Sequence, residues 1–314
     1  MNILYKYYSD LKLSYFDEPT FKLSQPKYLN DPFESSIQHG MIQSNSVLRK
    51  RLKKIEDARG SAAVDKLIIR NIYDLLNASG VISLSETQRN ILMWAHYANE
   101  HRGLCIGYDN DPFNFKKNRP HTLRDIYYQL HKVNYDTSRY DPLNDEFKNS
   151  HSIYWINAVV KKMLTTKSDE WIYEKEHRYI HPIYDSDYFI SNGLLKHNEY
   201  TREIYNSYRP TKVVFVDGDI RKYELKKEAS NIQSYLNELQ KLNKEITFYK
   251  KIPPKSIQTI FLGYRYPKNK EIDLIQKMYS DTCKIKHARI FRMDICPMEF
   301  RLIPKQIFPP VKSK

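Results

Sequence analysis

Trp171-Ile172-Tyr173-Glu174-Lys175-Glu176-His177-Arg178-Tyr179-Ile180 alternates as a β-strand does, and its reading decides the class of the fold. Side chains on an extended strand point alternately to opposite faces. Tyr173, Lys175, His177 and Tyr179 are therefore expected on one side, and Ile172, Glu174, Glu176, Arg178 and Ile180 on the other. Working outward, Ile3–Tyr8, Thr20–Ser24, Val81–Ser85, Leu104–Tyr108, the region near Val133–Tyr135, Val213–Val216, Ile257–Leu262 and Phe300–Ile303 read as further strands. Apolar residues at helical spacing predict two helices between Ser46 and Leu76, interrupted near Gly60, and others over Asn90–Asn99, Ile153–Leu164, about 223–243 and about 269–280. The helix over Asn90–Asn99 is expected to close on a left-handed Gly103. Strands interspersed with helices in this way predict an α+β fold with a mixed or antiparallel central sheet and peripheral helices. Residues 1–210 are expected to form the main domain, and residues 211–314 a basic C-terminal α/β portion packed on the same core.

At 314 residues, 41% of them hydrophobic, the chain has material for a substantial core. No apolar run approaches the roughly 18 to 20 residues that cross a bilayer, and the first residues lack the basic-then-apolar order of a secretion signal, so a cytoplasmic protein is expected. Cys105, Cys283 and Cys296 form no zinc-type spacing and are odd in number, which argues against a structural metal or a disulfide framework. The formal charge is +14, and residues 241–314 hold 17 lysines and arginines against 6 acidic residues. Two readings of that charge stand. Clustered basic residues suit nucleic-acid phosphates, and a chain rich in Lys, Asn, Ile and Tyr is also what an AT-rich genome tends to encode.

Chemistry concentrates in three segments. If Glu174, Glu176 and Arg178 share a strand face, Arg178 can hold one carboxylate while the other accepts a proton or bonds a sugar hydroxyl; the same pattern also serves as an ion-pair ladder. In Met93-Trp94-Ala95-His96-Tyr97, a helix would put Met93, His96 and Tyr97 on one face, as a wall for a planar ring or as core. Asn30-Asp31-Pro32-Phe33-Glu34 reads as a rigid turn or as a loop presenting Asn30 and Glu34 to a ligand. Trp94, His96, Glu174, Glu176 and Arg178 are expected to converge on one cleft with Asn30 or Glu34 at its rim.

Taken in order, Leu4-Tyr5-Lys6-Tyr7, Leu29–Glu34, Leu84-Ser85, Met93–Ala98, Gly103–Gly107, Lys167–Arg178 and Ile260–Gly263 resemble the bacterial domain-of-unknown-function family twenty-nine seventy-one. The chain also resembles ADP-ribosyltransferase folds in its order of parts: an early strand with Lys6-Tyr7, a central segment with Ser85 or His96-Tyr97, and a late Glu174-x-Glu176. Lys6 stands where those folds carry His or Arg. This second resemblance implies an enzyme that binds NAD and passes ADP-ribose to a macromolecule, plausibly nucleic acid, as a toxin or phage-defence effector with an antitoxin or defence-system partner protein. It implies Glu176, Glu174 and His96 as catalytic residues. It implies Lys6, Tyr7, Asn30, Ser85, Trp94, Tyr97 and Arg178 as the NAD-binding set, with Trp94 or Tyr97 walling the nicotinamide. Another class of function stays open, a nucleic-acid-binding or RNA-cleaving effector without NAD chemistry, and so does a purely structural partner-binding domain. The chain lacks a P-loop, a Rossmann glycine pattern, an HExxH helix and a GxSxG elbow.

Overall fold

The computed structural model describes residues 3–36, 53, 57, 60–115, 126–139, 152–226, 231–243 and 245–310. The strands in chain order are β1 (Ile3–Tyr8), β2 (Thr20–Leu23), β3 (Ser79–Ser85), β4 (Leu104–Asp109), β5 (Leu130–Lys132), β6 (Asn134–Asp136), β7 (Thr166–Ser168), β8 (Glu176–Pro182), β9 (Tyr188–Asn192), β10 (Thr211–Asp217), β11 (Ile220–Leu225), β12 (Ile246–Lys251), β13 (Ile257–Leu262), β14 (Arg289–Ile295) and β15 (Leu302–Phe308). The α-helices are α1 (Ser61–Asn77), α2 (Ile91–Tyr97), α3 (Ser152–Thr165), α4 (Glu199–Tyr208), α5 (Ile232–Leu242) and α6 (Lys268–Tyr279). The fold is α+β. Among the described residues, no helix is long and apolar enough to cross a membrane.

An eight-stranded sheet runs β15-β14-β13-β4-β1-β3-β8-β5, mixed because β13 and β14 are parallel while the other neighbours are antiparallel. Its central strands β3 and β4 are almost wholly buried, which is why they read as apolar runs. A five-stranded antiparallel sheet, β10-β11-β9-β12-β2, joins the first through the bridge Ser24↔Val81. Phe21, Leu23, Phe189 and Phe248 of the smaller sheet pack with Ile82, Leu84, Ile106 and Tyr108 of the larger in one core. A second cluster joins Val64, Ile68, Ile72 and Leu75 of α1 to Trp155, Val159 and Val160 of α3. The i, i+4 and i, i+3 spacings seen in the sequence are this contact stripe. Both sheets take strands from either side of residue 210: β13 lies beside β4, and β9 lies between β11 and β12.

One irregularity makes room for a site. β1 pairs with β4 from Ile3↔Asp109 to Tyr8↔Leu104, and β3 pairs with β8 from Ser79↔Pro182 to Ser85↔Glu176. β1 and β3 meet only at Tyr5↔Ser85. The sheet is therefore parted along that seam.

Several expectations need correction. Residues 171–180 are not one strand: Asp169–Glu174 is a 3-10 helix whose N-cap Ser168 accepts from the Glu170 N–H, Lys175 turns in the left-handed region at φ 46°, and β8 starts at Glu176. The expected helix over 223–243 splits into β11 and α5, and strands β9, β12 and β14 were not legible as such. Apart from Lys53 and Asp57, the expected helix from Ser46 to Gly60 lies outside the described residues. Gly103 is not a left-handed cap. Asn99, Glu100 and His101 take the positive φ values there. Gly103 is needed because a Cβ on it would stand 2.1 Å from the Tyr8 carbonyl oxygen. Likewise, one on Gly263 would stand 2.0 Å from the His101 carbonyl oxygen.

Overlap with backbone has no cheap relief, so Gly103→Ala and Gly263→Ala should each cost more than about 2 kcal/mol in urea unfolding. Gly193→Asn, at φ 81° with nothing within 4 Å of the added Cβ, carries backbone strain alone and should cost less than either, about 1 kcal/mol.

Candidate functional site

Where β1 and β3 part, a cavity of about 180 Å³ opens, lined by side chains of β1, β3, β8, the Ser24–Glu34 loop, α2 and the Lys167–Glu174 segment. Period-two alternation places Glu176 and Arg178 on the same side of β8. The Arg178 guanidinium, 1% exposed, donates from Nε and Nη2 to the two Glu176 carboxylate oxygens at 2.8 Å each. Nη2 also donates to Glu34 Oε1 at 2.7 Å, and Nη1 to the Leu164 carbonyl at 2.7 Å. Such a fork satisfies the guanidinium and fixes both acids.

Glu174 reaches the same cavity by another route, since the 3-10 turn and the left-handed Lys175 bring its carboxylate around to the face of Glu176. It accepts from Lys167 Nζ at 2.6 Å and from the Tyr97 hydroxyl at 2.5 Å. Lys167 Nζ stands 3.5 Å from Glu176 and 3.8 Å from Glu34. Asn30 Nδ2 donates to the Tyr97 hydroxyl at 3.1 Å, and the Tyr135 hydroxyl accepts from the Glu176 N–H at 2.7 Å. Across the seam, Lys6 Nζ donates to the Ser83 carbonyl at 3.0 Å, and Ser85 Oγ donates to the Glu174 carbonyl at 2.6 Å.

Burial works against the Glu176 carboxylate, but Arg178, then Lys167, overcome it and hold the group down at about 2. The other two acids behave differently. For Glu34 and Glu174, burial outweighs Arg178 and Lys167 respectively, and both are raised. Burial, opposed by Glu176, brings the Lys6 ammonium down to about 8. Three carboxylates thus face Lys167 and Arg178, and Glu34 Oε2, though buried, has no hydrogen-bond partner among the described residues. A buried acceptor left unpaired is costly, and a ligand hydroxyl would satisfy it.

Of the expected residues, Lys6, Tyr7, Asn30, Ser85, Tyr97, Glu174, Glu176 and Arg178 line the cavity, and so does the buried Glu34. Two stand apart. Trp94 is fully buried: its indole N–H bonds the Gln88 carbonyl and its ring packs against Tyr7 and His101, so it walls no ligand. His96 is exposed and outside the cavity lining, touching the rings of Tyr97 and Tyr173. The short helix α2 turns Met93 and Tyr97 to the cavity, leaving His96 on the outer side. Sequence reading missed Lys167 and Ser83; a lysine seven residues before Glu174 and a serine two before Ser85 were the available signals.

The arrangement defines an α+β protein with a buried carboxylate–cation cavity in a parted sheet. Residues 93–179 match the family described as Protein of unknown function (DUF2971). The matched segment contains Tyr97, Lys167, Glu174, Glu176 and Arg178, while Lys6, Glu34 and Ser85 lie before it. No curated protein and no solved structure matches the chain.

The lowered Glu176 predicts a pH signature. Its folded value, about 2 against an ordinary 4.5, contributes stability that is present above about pH 4.5 and is lost as pH falls toward about 2. The contribution is on the order of 3 kcal/mol. Arg178→Ala should lower stability at pH 7 by about 3 to 5 kcal/mol and flatten that acid limb, read by urea unfolding across pH. An unchanged acid limb would show that Arg178 does not set the Glu176 ionisation.

Proposed function

We propose that the cavity is the active site of an ADP-ribosyltransferase-like enzyme that uses NAD and modifies a macromolecule. The observation that carries this reading is the adjacency of β1, β3 and β8, which brings Lys6, Ser85 and Glu176 to one cavity at the seam where β1 and β3 part. That is the order of parts in which the sequence resembles ADP-ribosyltransferase folds, now with the three strands as neighbours. The departure at Lys6 remains.

The residues present fit the nicotinamide–ribose end of NAD. Tyr7, Met93 and Tyr97 supply a ring wall in place of Trp94, and the unpaired Glu34 Oε2 is an acceptor for a sugar hydroxyl. When bound, NAD supplies a ribose whose bond to nicotinamide breaks with positive charge developing on the sugar. Glu176, ionised throughout the neutral range and fixed by Arg178, sets a preorganised negative charge beside it. Glu174, raised by burial and hydrogen-bonded to Tyr97, is the group suited to accept a proton from the incoming acceptor.

The alternative, nucleic-acid binding or RNA cleavage without NAD, leaned on the basic residues of 241–314. At least nine of those 17 meet a carboxylate among the described residues, with Lys270, Lys277 and Lys251 meeting Asp10, Asp17 and Glu18. Much of the surplus is therefore balanced within the chain, which favours the enzyme reading and leaves nucleic acid as a proposed acceptor.

The test is nicotinamide release from NAD by purified protein, with and without added single- and double-stranded nucleic acid. Glu176→Gln keeps one acceptor for Arg178 but loses the ionised partner, so release is compared below the variant's own thermal midpoint, where it should fall about 10²-fold or more. Full activity in Glu176→Gln, or no release by wild type with any acceptor, would falsify the assignment.

A further inference from the structure

The cavity at the seam is smaller than the roughly 300–1,000 Å³ typical of sites for drug-sized ligands, and a dinucleotide needs more room than its 180 Å³. Two neighbouring hollows adjoin it. One, of about 430 Å³ and lined by Phe33, Arg139 and Lys162, meets it at Lys167, whose side chain is buried and held by Glu174, so that side is walled. The other is a groove of about 390 Å³ along β2, β9 and β12, lined by Lys22, Leu23, Ile190, Thr247 and Tyr249. It meets the cavity at Tyr28, which is 49% exposed and lines both.

Lysines line both lobes. Neither Lys6, on the cavity side, nor Lys22, on the groove side, has a carboxylate ion-pair partner among the described residues, and Lys27 lies 4.8 Å over the Tyr28 ring. After burial, Lys6 is influenced most by Glu176, which raises it, and then by Lys22, which lowers it. Ammonium groups on both sides of an opening favour an anion between them. In the groove, Tyr28 and Tyr249 offer flat apolar surface of the kind on which base rings stack, Tyr249 itself lying on Tyr188 with centroids 5.0 Å apart.

We propose that the site has two lobes: the seam cavity takes the nicotinamide riboside end of NAD, the groove across Tyr28 takes the adenosine end, and the diphosphate lies between Lys6 and Lys22. This rests on the NAD reading above and adds to it where the rest of the substrate lies. The two lobes together reach the size such a ligand requires.

Isothermal titration with NAD and, separately, with nicotinamide riboside tests the proposal on the full-length chain. Wild type should bind NAD at least about tenfold more tightly than the riboside, since only NAD reaches the groove. Lys22→Glu puts repulsion at the junction and Thr247→Trp fills the groove. Both variants should retain the wild-type thermal midpoint and riboside affinity while losing the advantage of NAD. If that advantage persists in both, the adenosine half lies elsewhere and the two-lobe proposal fails while the NAD reading stands. If wild type binds neither compound, the NAD reading falls and the proposal with it.

Discussion

A guanidinium shut away from water has to be satisfied by the protein alone, and Arg178 imposes that requirement on three separate parts of this chain. Its four hydrogen bonds reach Glu176 on its own strand, Glu34 in the loop after β2, and the Leu164 carbonyl in the last turn of α3. Desolvating such a charge costs several kcal/mol, and four short hydrogen bonds, two of them to one carboxylate, offset that cost. A cation at the C-terminal end of α3 is also favoured by the helix dipole. Loop, strand and helix are therefore held in one register by a single side chain.

The cluster gathered by that side chain is not symmetric in charge. Glu34, Glu174 and Glu176 face Lys167 and Arg178, and the attraction is spent unevenly: Glu176 is held low, while burial prevails at Glu34 and Glu174 and raises both. Carboxylates whose environments push them apart are the usual mark of divided roles, one as a fixed charge and another as a proton carrier. The parted seam between β1 and β3 is what gives a ligand access to them, because a fully paired sheet would have filled that space with backbone.

Position along β8 shows how far a local pattern reaches. Glu176, Arg178 and their common face were legible because strand periodicity is a property of neighbouring residues. Glu174 was placed on that face by the same rule and arrived there for a different reason, a 3-10 turn and a left-handed lysine. In α2 the aromatic cluster was visible, but which of Trp94, His96 and Tyr97 would face the cavity depended on how a two-turn helix docks. The indole went to the core with Tyr7, and the imidazole to solvent.

By itself the sequence determined the α+β class, most strand and helix positions, and the three segments where acids, a guanidinium and aromatics concentrate, since all of these follow from spacing within a few residues. Only the tertiary structure decided that Glu34 reaches Arg178 inside the cavity, and that Lys6 of β1 comes to the same cavity as Glu176 of β8. These are meetings between residues far apart in the chain; Glu34 and Arg178 are separated by 144 positions. No local periodicity encodes such a pairing, because it exists only once the strands have chosen their neighbours and the buried charges have been forced to find each other.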